Sequence, residues 1–460
     1  MLTRRSFLGA TALGAGTVLA GARPAFPLAV PDIPPELGLP AGADTLGQGT
    51  FALFAQSDLN FQTLIALGGA GINSQVGEVT TAVAQAQSAP GGASYQSLFD
   101  AMVAMGDRLL KAAQGAAKAK QAVTARDRYL RAAQYYNQAL FWVLGTSTPD
   151  REEEVYLAMD GAFRESAKRQ APAWEPLSIP YGKHELSGWF LRAPGARGKR
   201  PTLIMNNGSD GQNVDMLPQG GAAALARGWN VVLFEGPGQG RALFVDKLPF
   251  TPDWAGVIGP VVDTVLKRND ADPKRLALIG VSFGGTLVMR AVAEEHRLAA
   301  VVPDPGSVSE YDAFPAELRK VAESGDQQTV NAAWANLIIP GADPMQIFSL
   351  KKRLEIFSTE ALEQARAGQV PSDWYTLSNT IKQYTLGDLV DKVRTPTLVV
   401  DYELENFVPG QPKQLYDALP GKKDYVEFTT VEGAQYHDAP IGSQRHGEVV
   451  MDKLGAIVGA

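Results

Sequence analysis

The sequence predicts an α/β fold: a mostly parallel sheet, preceded by an N-terminal helical cap domain and interrupted by a helical lid insertion. Three observations carry this expectation. Apolar runs of strand length alternate with helical segments after Pro172, two of them joined as a hairpin at the start. Apolar residues recur at helical spacing between about residues 51 and 172. Finally, the strand ending near Pro303 and the one starting near Thr397 are separated by roughly 90 residues, far more than the about 2 to 6 usual for a loop beside its helix.

The opening stretch, MLTRRSFLGATALGAGTVLAGA, pairs Arg4 with Arg5 and continues into a short apolar run ending Ala20-Gly21-Ala22. It has the pattern of a twin-arginine export signal over residues 1–22, with periplasmic or secreted protein as the expected outcome. The run is too short and too weakly apolar to keep a stable membrane span after cleavage. Residues 23–50 hold Pro24, Pro27, Pro31, Pro34, Pro35 and Pro40 and read as an irregular lead-in.

The helical cap domain is expected over 51–172. Tyr129, Ala133, Tyr136, Leu140 and Val143 fall at helical spacing, with Thr124 and Asp127 offering an N-terminal cap. The tyrosines read as packing residues. The catalytic domain is expected over 173–460. Its strands are Trp174–Tyr181 and Leu186–Arg192 around a Gly182-Lys183 turn, then Thr202–Asn207, Asn230–Phe234, Arg275–Val281, Ala299–Pro303, Thr397–Asp401 and Tyr425–Val431. The insertion, at about 305–390, is rich in aromatics including Tyr311, Phe314, Trp334, Trp374, Tyr375 and Tyr384. It departs from the carboxyl end of the sheet, where ligands bind in open α/β folds, and so reads as a lid.

Composition bounds the chemistry. The 460 residues are 45% hydrophobic and 20% charged, enough to bury a large core. The formal charge of −7 becomes −9 once residues 1–22, with two arginines and no acid, are removed, so nucleic acid is not the expected partner. There is no cysteine, which excludes disulfides, thiol nucleophiles and thiolate metal sites. No metal-ligand or nucleotide signature is present. The Gly-rich loop Glu235–Arg241 lacks the Gly-Lys-Ser/Thr ending, and Pro237 removes a donor. A small-molecule substrate and no cofactor are expected, with a homodimer left open.

The sharpest motif is Gly280-Val281-Ser282-Phe283-Gly284-Gly285, lying between an apolar strand and a helical run. A strand, tight turn and helix of this kind lift a serine hydroxyl clear of the backbone. Such a serine needs a base, and the base needs an acid to hold its tautomer. Of four histidines, His437 lies directly after the last strand, whereas His184, His296 and His446 fall in the hairpin, a helix end and the final helical region. The acid should follow the penultimate strand, where Asp401, Glu403 and Glu405 compete. Glu405 is preferred because it stands three residues ahead of Val408-Pro409. The oxyanion donors expected are the N–H of Phe283 and that of Gly208 or Ser209 in the loop Asn207–Gly211.

Taken together, NNGSDGQ (206–212), FEGPGQGRA (234–242), GVSFGG (280–285), FVPGQPKQLYDAL (407–419) and EGAQYH (432–437) resemble one group of α/β-hydrolases. The group is that of 2,6-dihydroxypseudooxynicotine hydrolase, the FrsA-like proteins and fungal polyketide-shortening hydrolases. The resemblance spans roughly 90–455 and implies a capped catalytic sheet with a triad on Ser282, Glu405 and His437. It also implies cleavage of an ester or of a 1,3-diketone carbon–carbon bond. The chain departs from the group at its acid, since relatives generally carry Asp where Glu405 stands. Amide or peptide hydrolysis, and a non-catalytic binding protein on the same scaffold, are the alternatives.

Overall fold

A computed structural model describes residues 53–54, 56–195 and 197–460. The expected export signal and lead-in, residues 1–50, lie outside them. Eight strands form one sheet: β1 Glu175–Tyr181, β2 His184–Leu191, β3 Arg200–Asn206, β4 Asn230–Phe234, β5 Ala271–Val281, β6 Ala300–Asp304, β7 Thr397–Tyr402 and β8 Lys423–Phe428. Their spatial order is β1-β2-β4-β3-β5-β6-β7-β8. The β1–β2 and β2–β4 pairs are antiparallel and all others parallel.

The inner parallel strands β3, β4, β6 and β7 are buried on both faces, which is why they read as largely apolar runs, whereas the edge strand β8 is only partly buried. All five residues of β4 and all six of β7 are buried. Tyr181 pairs with His184, so Gly182 and Lys183 make the two-residue turn expected, with Gly182 at φ 56°. Two expected boundaries need correction. β5 begins at Ala271 and not Arg275, because Ala271 pairs with Arg200 across a register shift. The last strand stops at Phe428, where Thr430–Glu432 turns into a short helix and leaves Val431 97% exposed.

Five helices precede the sheet: α1 Ser57–Gly68, α2 Val76–Gln87, α3 Tyr95–Lys118, α4 Ala122–Trp142 and α5 Glu152–Ala167. The serines at the start of α3 form a reciprocal cap, Ser94 Oγ accepting from Ser97 N–H and Ser97 Oγ from Ser94 N–H. The cap expected for α4 at Thr124 is not used. That helix starts at Ala122, so Thr124 lies inside its first turn. Tyr129 and Tyr136 are buried in the helical packing, the Tyr136 hydroxyl donating to Asp107 at 2.6 Å.

Polar ties fix these helices to the loops at the carboxyl ends of β3 and β4. From α4, Gln134 and Asn137 donate amide N–H groups to Asp215 at 3.2 and 2.8 Å. From α5, the Tyr156 hydroxyl donates to Glu235 at 2.8 Å. Between β6 and β7 lie the helices Glu310–Ala313, Ala316–Ala322, Gln327–Ala333, Pro344–Leu354, Thr359–Arg366 and Trp374–Lys382. Trp334 and Trp374 stack at 4.9 Å in the middle of this segment, their indole N–H groups donating to the carbonyls of Pro371 and Leu318. These two indoles thus help make the insertion's own core, whereas Phe357 and Tyr384 pack against Phe283, and Phe348 against Tyr95 and Phe141. Among the described residues no helix is long and apolar enough to cross a membrane.

Candidate active site

Ser282 stands at the end of β5, before the helix Gly284–Val292, with φ 55°. A non-glycine residue in the left-handed region stores strain, and here its neighbours hold it. The Ser282 N–H donates to the Asp304 carbonyl at 2.7 Å, and the Gly285 N–H to the Ser282 carbonyl at 2.8 Å. A Cβ at Gly280 would lie 2.1 Å from the Gly284 carbonyl oxygen, so the turn closes only around a residue without one.

His437 Nε2 lies 3.0 Å from Ser282 Oγ. On the other side of the ring, Nδ1 donates to Glu405, 2.8 Å from Oε2 and 3.0 Å from Oε1. Glu405 Oε1 also accepts the N–H groups of Phe407 and Val408, so its carboxylate is fixed by its own loop. The bridge between Leu404 and Tyr436 sets that loop beside the histidine loop. The two competing acids are turned elsewhere. Asp401 accepts from the Tyr402 N–H and the Tyr425 hydroxyl, and Glu403 from the Thr430 N–H at 2.5 Å. Of the remaining histidines, His296 is exposed and His184 half-buried in β2.

The three expected oxyanion donors are not equivalent. The Gly208 N–H donates to the neighbouring Asn207 Oδ1 at 2.7 Å. The N–H groups of Phe283 and Ser209 have no acceptor among the described residues. A Cβ at Gly208 would come within 2.8 Å of Ser282 Cβ, so this loop packs against Ser282 itself. The Gly-rich loop after β4 braces it: Gln239 donates to the carbonyls of Asn207 and Gly208 at 2.6 and 3.1 Å.

Two adjoining chambers, of about 160 and 120 Å³, both reach Ser282 and His437. The first is walled by Phe61 of α1, Phe141 of α4 and Phe348 of the helix Pro344–Leu354. The second runs under Phe314 and Leu318. Phe407 and Arg353 border both.

Several ionisable groups of this site were not legible in the sequence. Burial opposes charge on His437, but Asp438, whose Oδ2 is 3.5 Å from Nε2, and Glu405 outweigh it and raise the ring to about 9. Burial lifts Asp438 itself to about 7, against the pull of His437. Glu310, facing Arg353 and His437, is also raised to about 7 by burial. Beneath Ser282, Asp304 accepts from Tyr402 Oη at 2.6 Å and pairs with His446 Nε2 at 2.7 Å. His446 is therefore a buried partner of the loop that pins Ser282. The one sequence signal for it was a histidine among the apolar residues of the last helix. No cluster of three or more His, Asp or Glu with metal-holding geometry occurs among the described residues.

A sequence model of the "Alpha/beta hydrolase family" matches residues 213–451. The chain is similar to hydrolase LUC6 of a Fusarium species, 30% identical over 269 residues, covering 56% of this chain and 63% of that one. It is likewise similar to 20-hydroxy-prefusarin hydrolase FUS2 of Gibberella moniliformis, 30% identical over 275 residues with 56% and 63% covered. It thus spans less than two thirds of the length of these curated relatives. In fold it is similar to the crystal structure of 2,6-dihydroxy-pseudo-oxynicotine hydrolase, with a TM-score of 0.59 at 17% identity over 87% of this chain and 96% of that one.

Proposed function

The chain belongs to the alpha/beta hydrolase family, and from that premise we propose that it is a serine hydrolase forming an acyl-enzyme on Ser282. The observation that supports this best is the unbroken contact from Ser282 Oγ through His437 to Glu405, at 3.0 and 2.8 Å. In its neutral form, with the proton on Nδ1, His437 takes the hydroxyl proton at Nε2 as Oγ attacks a carbonyl carbon. Glu405 holds the tautomer and stabilises the imidazolium that forms. The oxyanion is received by the N–H groups of Phe283 and Ser209, neither of which has an acceptor among the described residues. Gly208 joins them only by releasing Asn207 Oδ1. His437 then returns the proton to the leaving group, and water attacks the acyl-enzyme.

The substrate we propose is a bulky, partly aromatic small molecule carrying an ester or a 1,3-diketone carbon–carbon bond. Phenylalanine walls around the nucleophile and the small-molecule name of one relative support it. Labelling by a fluorophosphonate tests the nucleophile. Wild-type protein should label and Ser282→Ala should not; no labelling of wild type, or equal labelling of the variant, would remove Ser282 from its role. Screening esters beside 1,3-diketones then identifies the bond. Export through the twin-arginine route is a further part of the proposal. Replacing Arg4 and Arg5 by Lys should retain the protein inside the cell, and unchanged export would refute it.

A further inference from the structure

Two positive charges border the larger chamber, and they are differently placed. Lys352 is committed to the interior, its Nζ donating to Glu355 at 2.7 Å and lying 3.9 Å from Glu152, with all three side chains buried. Arg353, the next residue, borders both chambers and keeps about a third of its side chain exposed, 33%. Its Nη1 donates to Asp210 Oδ2 at 3.1 Å and lies 3.4 Å from Ser209 Oγ. No hydrogen bond runs from Nε or Nη2 to a described residue. The guanidinium lies 5.2 Å from the centre of the Phe407 ring, which is itself 4.4 Å from His437. Arg353 therefore bridges the loop of the oxyanion donors and the loop that carries Glu405, with donors to spare.

Resting on the serine-hydrolase reading, we propose that Arg353 is the enolate-binding residue of the site. It holds the second oxygen of a 1,3-dicarbonyl substrate while Ser282 attacks the neighbouring carbonyl. In that reaction the Oγ–carbon bond forms and the serine proton passes to His437 Nε2. When the tetrahedral adduct collapses, the carbon–carbon bond breaks and its electron pair moves to the α-carbon, delocalised onto the remaining carbonyl oxygen. The enolate so formed pairs with the planar guanidinium fork. The proton on His437 goes to the α-carbon, leaving a ketone and the acyl-enzyme, which water hydrolyses. An ester makes no such demand, because its electron pair leaves on an oxygen next to His437. Arg353 thus selects for the dicarbonyl class.

The test uses 5-phenylcyclohexane-1,3-dione, which is ionised at neutral pH, against 3-phenylcyclohexanone, which lacks the second oxygen. Both are scored by how far they slow fluorophosphonate labelling of Ser282. In wild type the dione should half-protect at a concentration roughly tenfold lower than the monoketone. Arg353→Met should bring the two within about twofold, and Arg353→Lys should keep part of the difference. Asp210→Asn, which removes the carboxylate hydrogen-bonded to Arg353, should enlarge it. A merely structural latch between Arg353 and Asp210 would not. Equal protection in wild type, a difference that persists in Arg353→Met, or one that does not grow in Asp210→Asn overturns the assignment while labelling of Ser282 still stands. Absence of labelling in wild type overturns the serine reading and Arg353 with it.

Discussion

Asp438 offers the most direct handle on the base. Its Oδ2 lies 3.5 Å from His437 Nε2, the nitrogen that faces the nucleophile. Asp438→Asn removes the charge and little else, since Asn is nearly isosteric and tolerates the left-handed backbone at φ 61°. Two unit charges about 4 Å apart attract by about 4 kcal/mol at an effective dielectric constant near 20. That would correspond to about 3 pKa units if Asp438 were always ionised. Asp438, at about 7, is ionised where His437 titrates, but the Asn that replaces it still offers a carbonyl oxygen to the imidazolium, and a loss of about one to two units is expected. The sign follows from which form is favoured. Asp438 stabilises the imidazolium, so its removal lets His437 give up its proton at lower pH. With wild type, kcat/KM for a chromogenic ester should rise with pH to a midpoint near 9, the pKa of His437. In Asp438→Asn the midpoint should move down to roughly 7 to 8, making the variant faster than wild type at pH 7. A midpoint that stays in place, or moves up, would refute the reasoning.

Other predictions follow from contacts already described. Glu405→Gln should lower kcat by about 10² to 10⁴, whereas Asp401→Asn, which faces Tyr425 and not His437, should change it by less than about tenfold. The reverse order would move the acid to Asp401. Gly285→Ala places a Cβ 2.2 Å from the Pro305 carbonyl oxygen, and chemical denaturation should show a loss of about 1 to 3 kcal/mol; unchanged stability would mean the turn can yield. Trp334→Ala removes one half of the indole stack with Trp374 and should cost about 3 to 5 kcal/mol in the same measurement. A neutral result would mean the stack contributes little to the insertion's core.

The parts of the fold that were legible in the sequence are those whose signal is local. Asn230–Phe234 and Thr397–Tyr402 are built on the apolar runs Val231–Phe234 and Leu398–Val400, and burial on both faces accounts for them. The charged start of β5, Ala271–Arg275, carries no such signal, because it is a strand only through its pairing with Arg200. The same division runs through the site. Ser282 directly follows the end of β5, His437 lies in the loop that follows β8, and the turn glycines around the serine are written in the sequence. Glu405 could be separated from Asp401 and Glu403 only by distances across the loop, all three being within five residues of one another. Arg353, Glu310 and Asp438 derive their roles from neighbours remote in the chain or from burial, and neither is visible in a residue's sequence context. The aromatics of the insertion misled in part. Trp334 and Trp374 fill its interior, while Phe61, Phe141 and Phe348 wall the larger chamber.

The buried charges behind Lys352 bear on how such a site can be remodelled. Lys352 meets Glu355 and Glu152, and Arg366 meets Glu152 at 2.9 Å, joining the segment between β6 and β7 to α5. Separating these partners would strand desolvated ions, a cost of several kcal/mol. A transplanted insertion from another hydrolase would therefore arrive without its counter-ions unless α5 came with it. Changes of specificity by exchange of segments should succeed when both travel together and fail when either travels alone. Drift among homologues would be expected to couple positions 152, 352, 355 and 366 in the same way.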